Sequence, residues 1–173
     1  MFLAACGSSP TSIAENAGAQ STSYLWFEQD SSRTDPLRRA FVEVELAARG
    51  ETTNGTYYLG RRTASAFRKS LYARQASASN SDLKNCSDFS TSAQAQRFFL
   101  QSGGPISDDH NLDGDGDGLA CEWGTKISRI AKRAHRKAIA KSRRTYRRST
   151  CYVGPRGGTY TLTASGNKNY NGC

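Results

Sequence analysis

The residues best suited to do chemistry lie in one short run, LDGDGDGLACE, residues 112–122. Asp113, Asp115 and Asp117 alternate with glycines there, and Cys121 and Glu122 follow. In a tight loop every second side chain can turn inward, and the intervening glycines permit the positive φ angles that such a loop demands. Three bare carboxylates this close repel one another and raise each other's pKa. A divalent cation relieves that repulsion. Calcium takes about six to eight oxygen ligands, and its twelve-residue EF-hand loop draws on positions 1, 3 and 5, a turn glycine at 6, a carbonyl at 7 and an acid at 12. Asp113, Asp115 and Asp117 fall on the first three of these, Gly118 on the turn glycine and the Leu119 carbonyl on the fourth. The closing acid would stand at Gly124; the available one is Glu122, two residues early. The run therefore reads as a shortened EF-hand-like loop for Ca²⁺, closed by Glu122, with water completing the shell. Mg²⁺ dehydrates reluctantly and competes poorly for carboxylates that meet the ion directly.

A helix must hold this loop. Thr91 with Gln94 forms a capping-box pattern. Ala95, Phe98 and Phe99 then share one helical face, and Gly103 ends the helix. That face reads as core, packing against Phe89 and the base of the loop. Asp108, Asp109 and His110 read as solvated turn residues, the alternative being that they add charge just outside the ligands; His110 is a poor ligand because calcium prefers oxygen.

The whole stretch NCSDFSTSAQAQRFFLQSGGPISDDHNLDGDGDGLACE resembles the Excalibur family, an extracellular calcium-binding module with the signature DxDxDGxxCE. The likeness runs from about Asn85 to Trp123, under a quarter of the chain, and includes the upstream Cys-x-Asp-Phe and the Ala-Gln-x-Phe-Phe helix. It implies that Asp113, Asp115, Asp117 and Glu122 carry the cation and that Cys86 and Cys121 form a disulfide.

The cysteines also speak to compartment. There are five. Leu3-Ala4-Ala5-Cys6 resembles a bacterial lipobox, in which the cysteine receives a lipid, and a Ser/Thr/Ala-rich run follows like a tether. The basic segment expected before a lipobox is missing and its apolar stretch is a stub, so the true start is expected upstream of Met1. Gly7 after the lipidated residue fits outer-membrane sorting. With Cys6 lipidated, Cys86, Cys121, Cys151 and Cys173 remain, with three possible pairings. The sequential one is expected, because each pair brackets one compact module. Local disulfides suit an oxidising compartment and small modules that lack core. A zinc site is disfavoured: no CxxC occurs, and both histidines sit far from any cysteine pair.

The chain has 173 residues and a net charge of +9, which hides an asymmetry. Residues 1–125 hold 11 Lys/Arg against 15 Asp/Glu, whereas residues 126–173 hold 13 Lys/Arg and no acid. Opposite signs imply two jobs, cation binding in one part and anion contact in the other. Ile127, Ile130, Ala131, Ala134 and Ala138 recur at helical spacing, which predicts a basic amphipathic helix to about Lys141. Lys132, Arg133, Arg136, Lys137, Arg143 and Arg144 are its candidate anion contacts. The polyanion could be nucleic acid, lipopolysaccharide or another anionic lipid, or an acidic cell-wall glycan. The plainer reading is a solvated charged linker, with His135 one more polar position.

The tail GPRGGTYTLTASGNKNY resembles the PBCV-specific basic adaptor domain, a short piece that accompanies other domains. Thr159–Thr163 alternates, Ser165-Gly166-Asn167 turns and Lys168–Tyr170 returns, so residues 151–173 read as a β-hairpin closed by Cys151 and Cys173. Arg156 and Lys168 are further anion candidates.

Towards the N-terminus the signals are weaker. Residues 7–23 read as a flexible tether. SYLWF, 23–27, reads as a short strand or docking patch. Asp35-Pro36 opens a helix carrying Leu37, Phe41, Val44 and Ala48, closed by Gly50, although Val42, Val44 and Leu46 also suit a strand. Residues 54–74 mix aromatics with Arg and Lys, a pattern that can serve nucleic-acid or glycan contact; the plainer reading is a surface hairpin or extended linker, followed by a linker at 75–82.

Hydrophobic content is 36%, too little for one continuous core over the whole chain. The fold expected is a set of small, largely irregular α+β modules: a tether at 1–23, an N-terminal region with one helix at 24–82, the calcium module at 84–124, a basic helix or linker at 125–150 and the hairpin at 151–173. No run reaches the roughly 20 apolar residues of a membrane-spanning helix. No nucleophile, base and orienting group assemble into a catalytic set, so the protein reads as a binding protein, not an enzyme. The function expected is a calcium-binding, lipid-anchored protein of the bacterial envelope. The alternative is a nucleic-acid-binding accessory factor acting through its basic C-terminal segment.

Overall fold

The computed structural model describes residues 9–72 and 83–173, the side chains of 146–149 excepted. Cys6 and the linker at 75–82 lie outside the described residues. The chain is mixed α and β, with small antiparallel sheets and two disulfides. It divides into two compact units, one ending at Ala131 and one running from Lys132 to Cys173.

In the first unit α1 (Pro10–Ala19), α2 (Thr22–Asp30) and α3 (Pro36–Ala48) each begin on a short polar cap. Ser9 accepts the Ser12 amide, Ser21 that of Tyr24, and Asp35 those of Leu37 and Arg38. Such caps satisfy amides that have no partner inside the helix. Gly50 closes α3 in a Schellman arrangement, with Glu51 N–H donating to Leu46 O and Gly50 N–H to Ala47 O.

The composition of 7–23 predicts a tether, yet α1 is a helix with Ala14 and Ala17 buried. Small side chains let it lie close against α3, which a composition count does not reveal. SYLWF is helical, not extended: Leu25 and Trp26 are buried, whereas Tyr24 and Phe27 stay exposed. Helix α3 carries Phe41, Val42, Val44 and Leu46 into the core.

Two arginines tie this layer together. Arg38 grips Glu28 with two nitrogens, at 3.2 and 2.7 Å, and donates to Ile13 O. Arg49 joins Glu45 to the carbonyls of Gln20 and Gly18 at the α1–α2 junction. Planar guanidinium forks suit such multiple acceptors.

A two-stranded hairpin follows, β1 (Thr53–Asn54) and β2 (Tyr57–Tyr58), and then a run of turns over 59–68. The surface hairpin expected within 54–74 is thus confined to the start of that segment, and Leu59 and Gly60 after it are buried. A single 3₁₀ turn, Cys86–Asp88, precedes α4 (Ser92–Gln101), which packs on α3 and α1. Thr91 caps α4 by accepting the Gln94 amide at 3.2 Å. The N-terminal region and the calcium module, separate in the sequence reading, share one core that runs from Ala14 to Ile127.

Helix α5 spans Trp123–Ser149, longer than the helix to Lys141 that its pattern predicts. Ile127 is buried and Ile130 half-buried, but Ala138 and Ile139 are exposed. The apolar stripe works only in the first turns. Among the described residues no helix is long and apolar enough to cross a membrane.

In the second unit, β3 (Tyr152–Val153), β4 (Thr159–Leu162) and β5 (Lys168–Asn169) form an antiparallel sheet in the order β3-β4-β5. The expected hairpin is present, with β3 added at its edge. Register sets Tyr152 opposite Tyr160 and Leu162 opposite Lys168. Tyr152 stacks on Tyr160 at 5.6 Å, and Tyr170 meets Tyr160 at a tilt, 5.5 Å away.

Candidate calcium site

The aspartate loop is held at three corners. Its base is closed by the Cys121 amide on Leu112 O (2.8 Å) and by the Cys86–Cys121 disulfide, Cα atoms 5.7 Å apart. Its start is braced by Asp108, whose two oxygens accept the amides of Leu112 (2.8 Å) and Asp113 (2.9 Å). Its end is pinned to α4 by Gln96, fully buried, which accepts the Ala120 amide and donates to Gly118 O. Closing 35 residues with a disulfide removes about 3–4 kcal/mol of unfolded-chain freedom in the entropic account.

Within this frame Asp113 and Asp117 are buried, whereas Asp115 is exposed. Carboxylate oxygens of all three lie within 4.8 Å of one another. Asp113 Oδ1 accepts the amides of Gly116 and Asp117, and Oδ2 that of Gly118 at 2.6 Å. Asp117 accepts from Leu119 N–H on Oδ1 and from Arg68 N–H on Oδ2.

Burial pushes Asp113 up to about 6; the Gly118 amide opposes this, and the neighbouring charges of Asp117 and Asp115 add to it. Asp117 is raised as well, again chiefly by burial, against the lowering amides of Arg68 and Leu119. Carboxylates gathered at such an electrostatic disadvantage are what a hard divalent cation relieves. Protons would compete with a cation for the same oxygens as pH drops towards 6. The donor set fits calcium: charged oxygen ligands converging on one point from a loop ordered by its own amides.

Glu122 is not part of this cluster. Cys121 turns the chain with φ 52° and α5 starts at Trp123, so Glu122 stands at the head of that helix. Its side chain is exposed and lines a shallow groove with Thr52, Ser92, Thr125, Lys126 and Arg129. The Leu119 amide serves Asp117, as above. His110 stacks on Phe98 at 5.0 Å and accepts the Leu83 amide on Nδ1, a packing role.

Three contributors escaped the sequence reading. Asp108, allowed for only as added charge beside the ligands, braces the loop through the amides of Leu112 and Asp113. Gln96 shares its helical side with Ala93 and Leu100, at spacings of three and four, and a polar residue there signals a buried hydrogen-bonding job. The Arg68 amide carries no side-chain signal at all.

The cations proposed for anion contact are all exposed. Arg136, Arg143 and Arg144 line an open groove of about 650 Å³ with Ile139, Ala140 and Ala164. Arg156 lines a second cleft with Gly154, Pro155, Gly158 and Tyr170. Lys168 Nζ lies 4.7 Å above the Tyr160 ring. Lys132, Arg133 and Lys137 are exposed positions of α5. Cys151 pairs with Cys173, Cα atoms 5.9 Å apart, closing the sheet.

The site is thus a disulfide-closed aspartate-glycine loop whose converging carboxylates suit an oxygen-seeking cation. Residues 83–122 match the family model of the Excalibur calcium-binding domain. Searches of curated proteins and of solved structures return no match to the chain.

Proposed function

We propose that this chain is a calcium-binding protein of the bacterial cell envelope, with Asp113, Asp115 and Asp117 holding the ion. The observation that carries this reading is the convergence of those three carboxylates inside a segment matching a calcium-binding family. Bound calcium would neutralise buried charge that the fold alone leaves repelling. Those residues bind and orient; the amides on Asp113 and Asp117 keep the oxygens aimed. The ion's role is then to stabilise or regulate the unit around it. The lipobox-like Leu3–Cys6 and the two disulfides support export and a lipid anchor on Cys6, with outer-membrane placement. The exposed cations from Lys132 onward support adhesion to an anionic polymer of the envelope.

Calorimetry of the full chain tests the core of this reading. Calcium should bind wild-type protein, and the heat should vanish in Asp113→Ala and in Asp117→Ala; no heat and no thermal shift with calcium would sink it. Mass spectrometry of membrane-extracted protein tests the lipid. Retention of duplex DNA well above other polyanions would favour the nucleic-acid reading instead. The reading is of a binding protein; a phosphodiesterase rate lost in Asp115→Ala would overturn that part.

A further inference from the structure

A segment well outside the matched family region lies across the loop. Residues 67–72 follow the turns after β2 and place three backbone amides on it. Arg68, with φ 59°, donates to Asp117 Oδ2 at 2.6 Å. Leu71 and Tyr72 both donate to the Gly116 carbonyl, at 2.8 and 3.0 Å. Contact is close enough to dictate residue size. A Cβ on Gly116 would stand 2.7 Å from Tyr72 O, and one on Gly118 would stand 3.0 Å from the Tyr72 ring. Both glycines also have positive φ, 71° and 82°, so the loop needs them twice over. Upstream, Phe67 packs so tightly on Gly124 that a Cβ there would meet its ring at 2.6 Å.

The far end of this strap is anchored in the core. Glu43, buried on α3, accepts the Gly60 amide at 2.9 Å, Thr63 Oγ1 at 2.6 Å and Gln29 Nε2 at 3.1 Å. The strap is therefore tethered to the helical layer on one side and to the loop on the other.

We propose that the cation site of this chain has two parts, the aspartate loop and the strap Phe67–Tyr72, and that calcium binding and strap docking strengthen each other. The proposal rests on the calcium reading and adds a partner segment to it. The strap positions; it supplies no carboxylate. Two donors on Gly116 O hold the backbone between Asp115 and Asp117, and the Arg68 amide orients the Asp117 carboxylate. Ordering a loop at the moment of binding weakens affinity, so a strap that orders it beforehand raises it. The coupling is reciprocal: whatever factor the strap adds to calcium affinity, calcium adds to strap docking.

The test uses the full chain. In unmodified protein, hydrogen exchange at the amides of Arg68, Leu71 and Tyr72, and tryptic cleavage after Arg68 and Lys69, should slow about fivefold or more on adding calcium. In Leu71→Pro, which removes one strap amide and touches no carboxylate, calorimetric calcium affinity should fall by a similar factor, with Tyr72→Ala giving a smaller loss. Calcium heat in the unmodified protein with unchanged exchange at 68–72 overturns this proposal and leaves the calcium reading standing. Absence of calcium heat in the unmodified protein overturns both. Because the exchange experiment needs no substitution, a poorly folding proline variant does not decide the matter.

Discussion

The two charged regions of this molecule are built by opposite rules. In the aspartate loop Asp113 and Asp117 are buried and accept amide hydrogens from fixed backbone, and with the exposed Asp115 their carboxylates converge within 4.8 Å. Along the second half of α5 and on the small sheet, the cations are exposed and spread, and among the described residues the ion pairs all lie in the first unit. The first arrangement suits a small ion whose ligands must meet at a point. The second suits an extended anion met by many weak, screened contacts. Sharing one chain does not make these one site: the loop is a structure, and the basic surface is a field.

Breaking the staples should separate the regions most clearly. Cys86→Ser with Cys121→Ser should cost about 3–4 kcal/mol in urea unfolding of the first unit, in the entropic account, and weaken calcium binding. The matching change at Cys151 and Cys173 should loosen the sheet and leave calcium affinity unchanged. A loss of calcium binding in the second pair would erase the distinction.

The buried network under the strap comes next. Glu43→Ala leaves the Gly60 amide without its acceptor and removes one of two acceptors of Gln29 Nε2, which keeps Tyr58 O, and should cost about 2–3 kcal/mol. Glu43→Gln keeps an acceptor and should cost little at neutral pH. Burial raises the Glu43 pKa above its ordinary 4.5, so the folded state retains a proton that the unfolded chain has released. Its contribution is therefore full below about that value and declines as pH rises through the raised pKa. Thermal unfolding of Glu43→Gln against pH should show that slope flattened.

On the basic surface, Arg136→Ala combined with Arg143→Ala and Arg144→Ala should lower the salt concentration that elutes the protein from an anionic polymer column. Each lost contact should reduce the salt slope by about one. Calcium affinity should not move. The smallest effect is expected at Glu122→Gln, which should change calcium affinity less than about threefold, since that side chain faces the groove beside Lys126. A loss as large as that of Asp117→Ala would mean that the loop rearranges around its ion.

Much of the site was legible because its signals are local. The Asp-Gly alternation, the Thr91 cap and the Phe98–Phe99 face depend on neighbours a few residues apart, and so do α3 and the C-terminal hairpin. What escaped depends on partners far along the chain. Helix α1 has weak apolar content and is held by burying Ala14 and Ala17 near α3. Gln96 looks like an ordinary polar helix residue until Ala120 and Gly118 are brought to it. Glu122 follows the motif in sequence and stands at the head of α5, outside the cluster of three aspartates.

The string of residues already carries the chemistry: an aspartate loop suited to a hard cation, cysteines placed to staple small modules, and a separate basic stretch beginning at Lys126. Residue type and short spacing suffice for that, because ligand preference and helix periodicity are local properties. Folding settles which oxygens converge, brings the N-terminal helices into the module's core, and closes the amides of Arg68, Leu71 and Tyr72 over the loop. Backbone amides carry no residue signature, so their work appears only once the chain has folded.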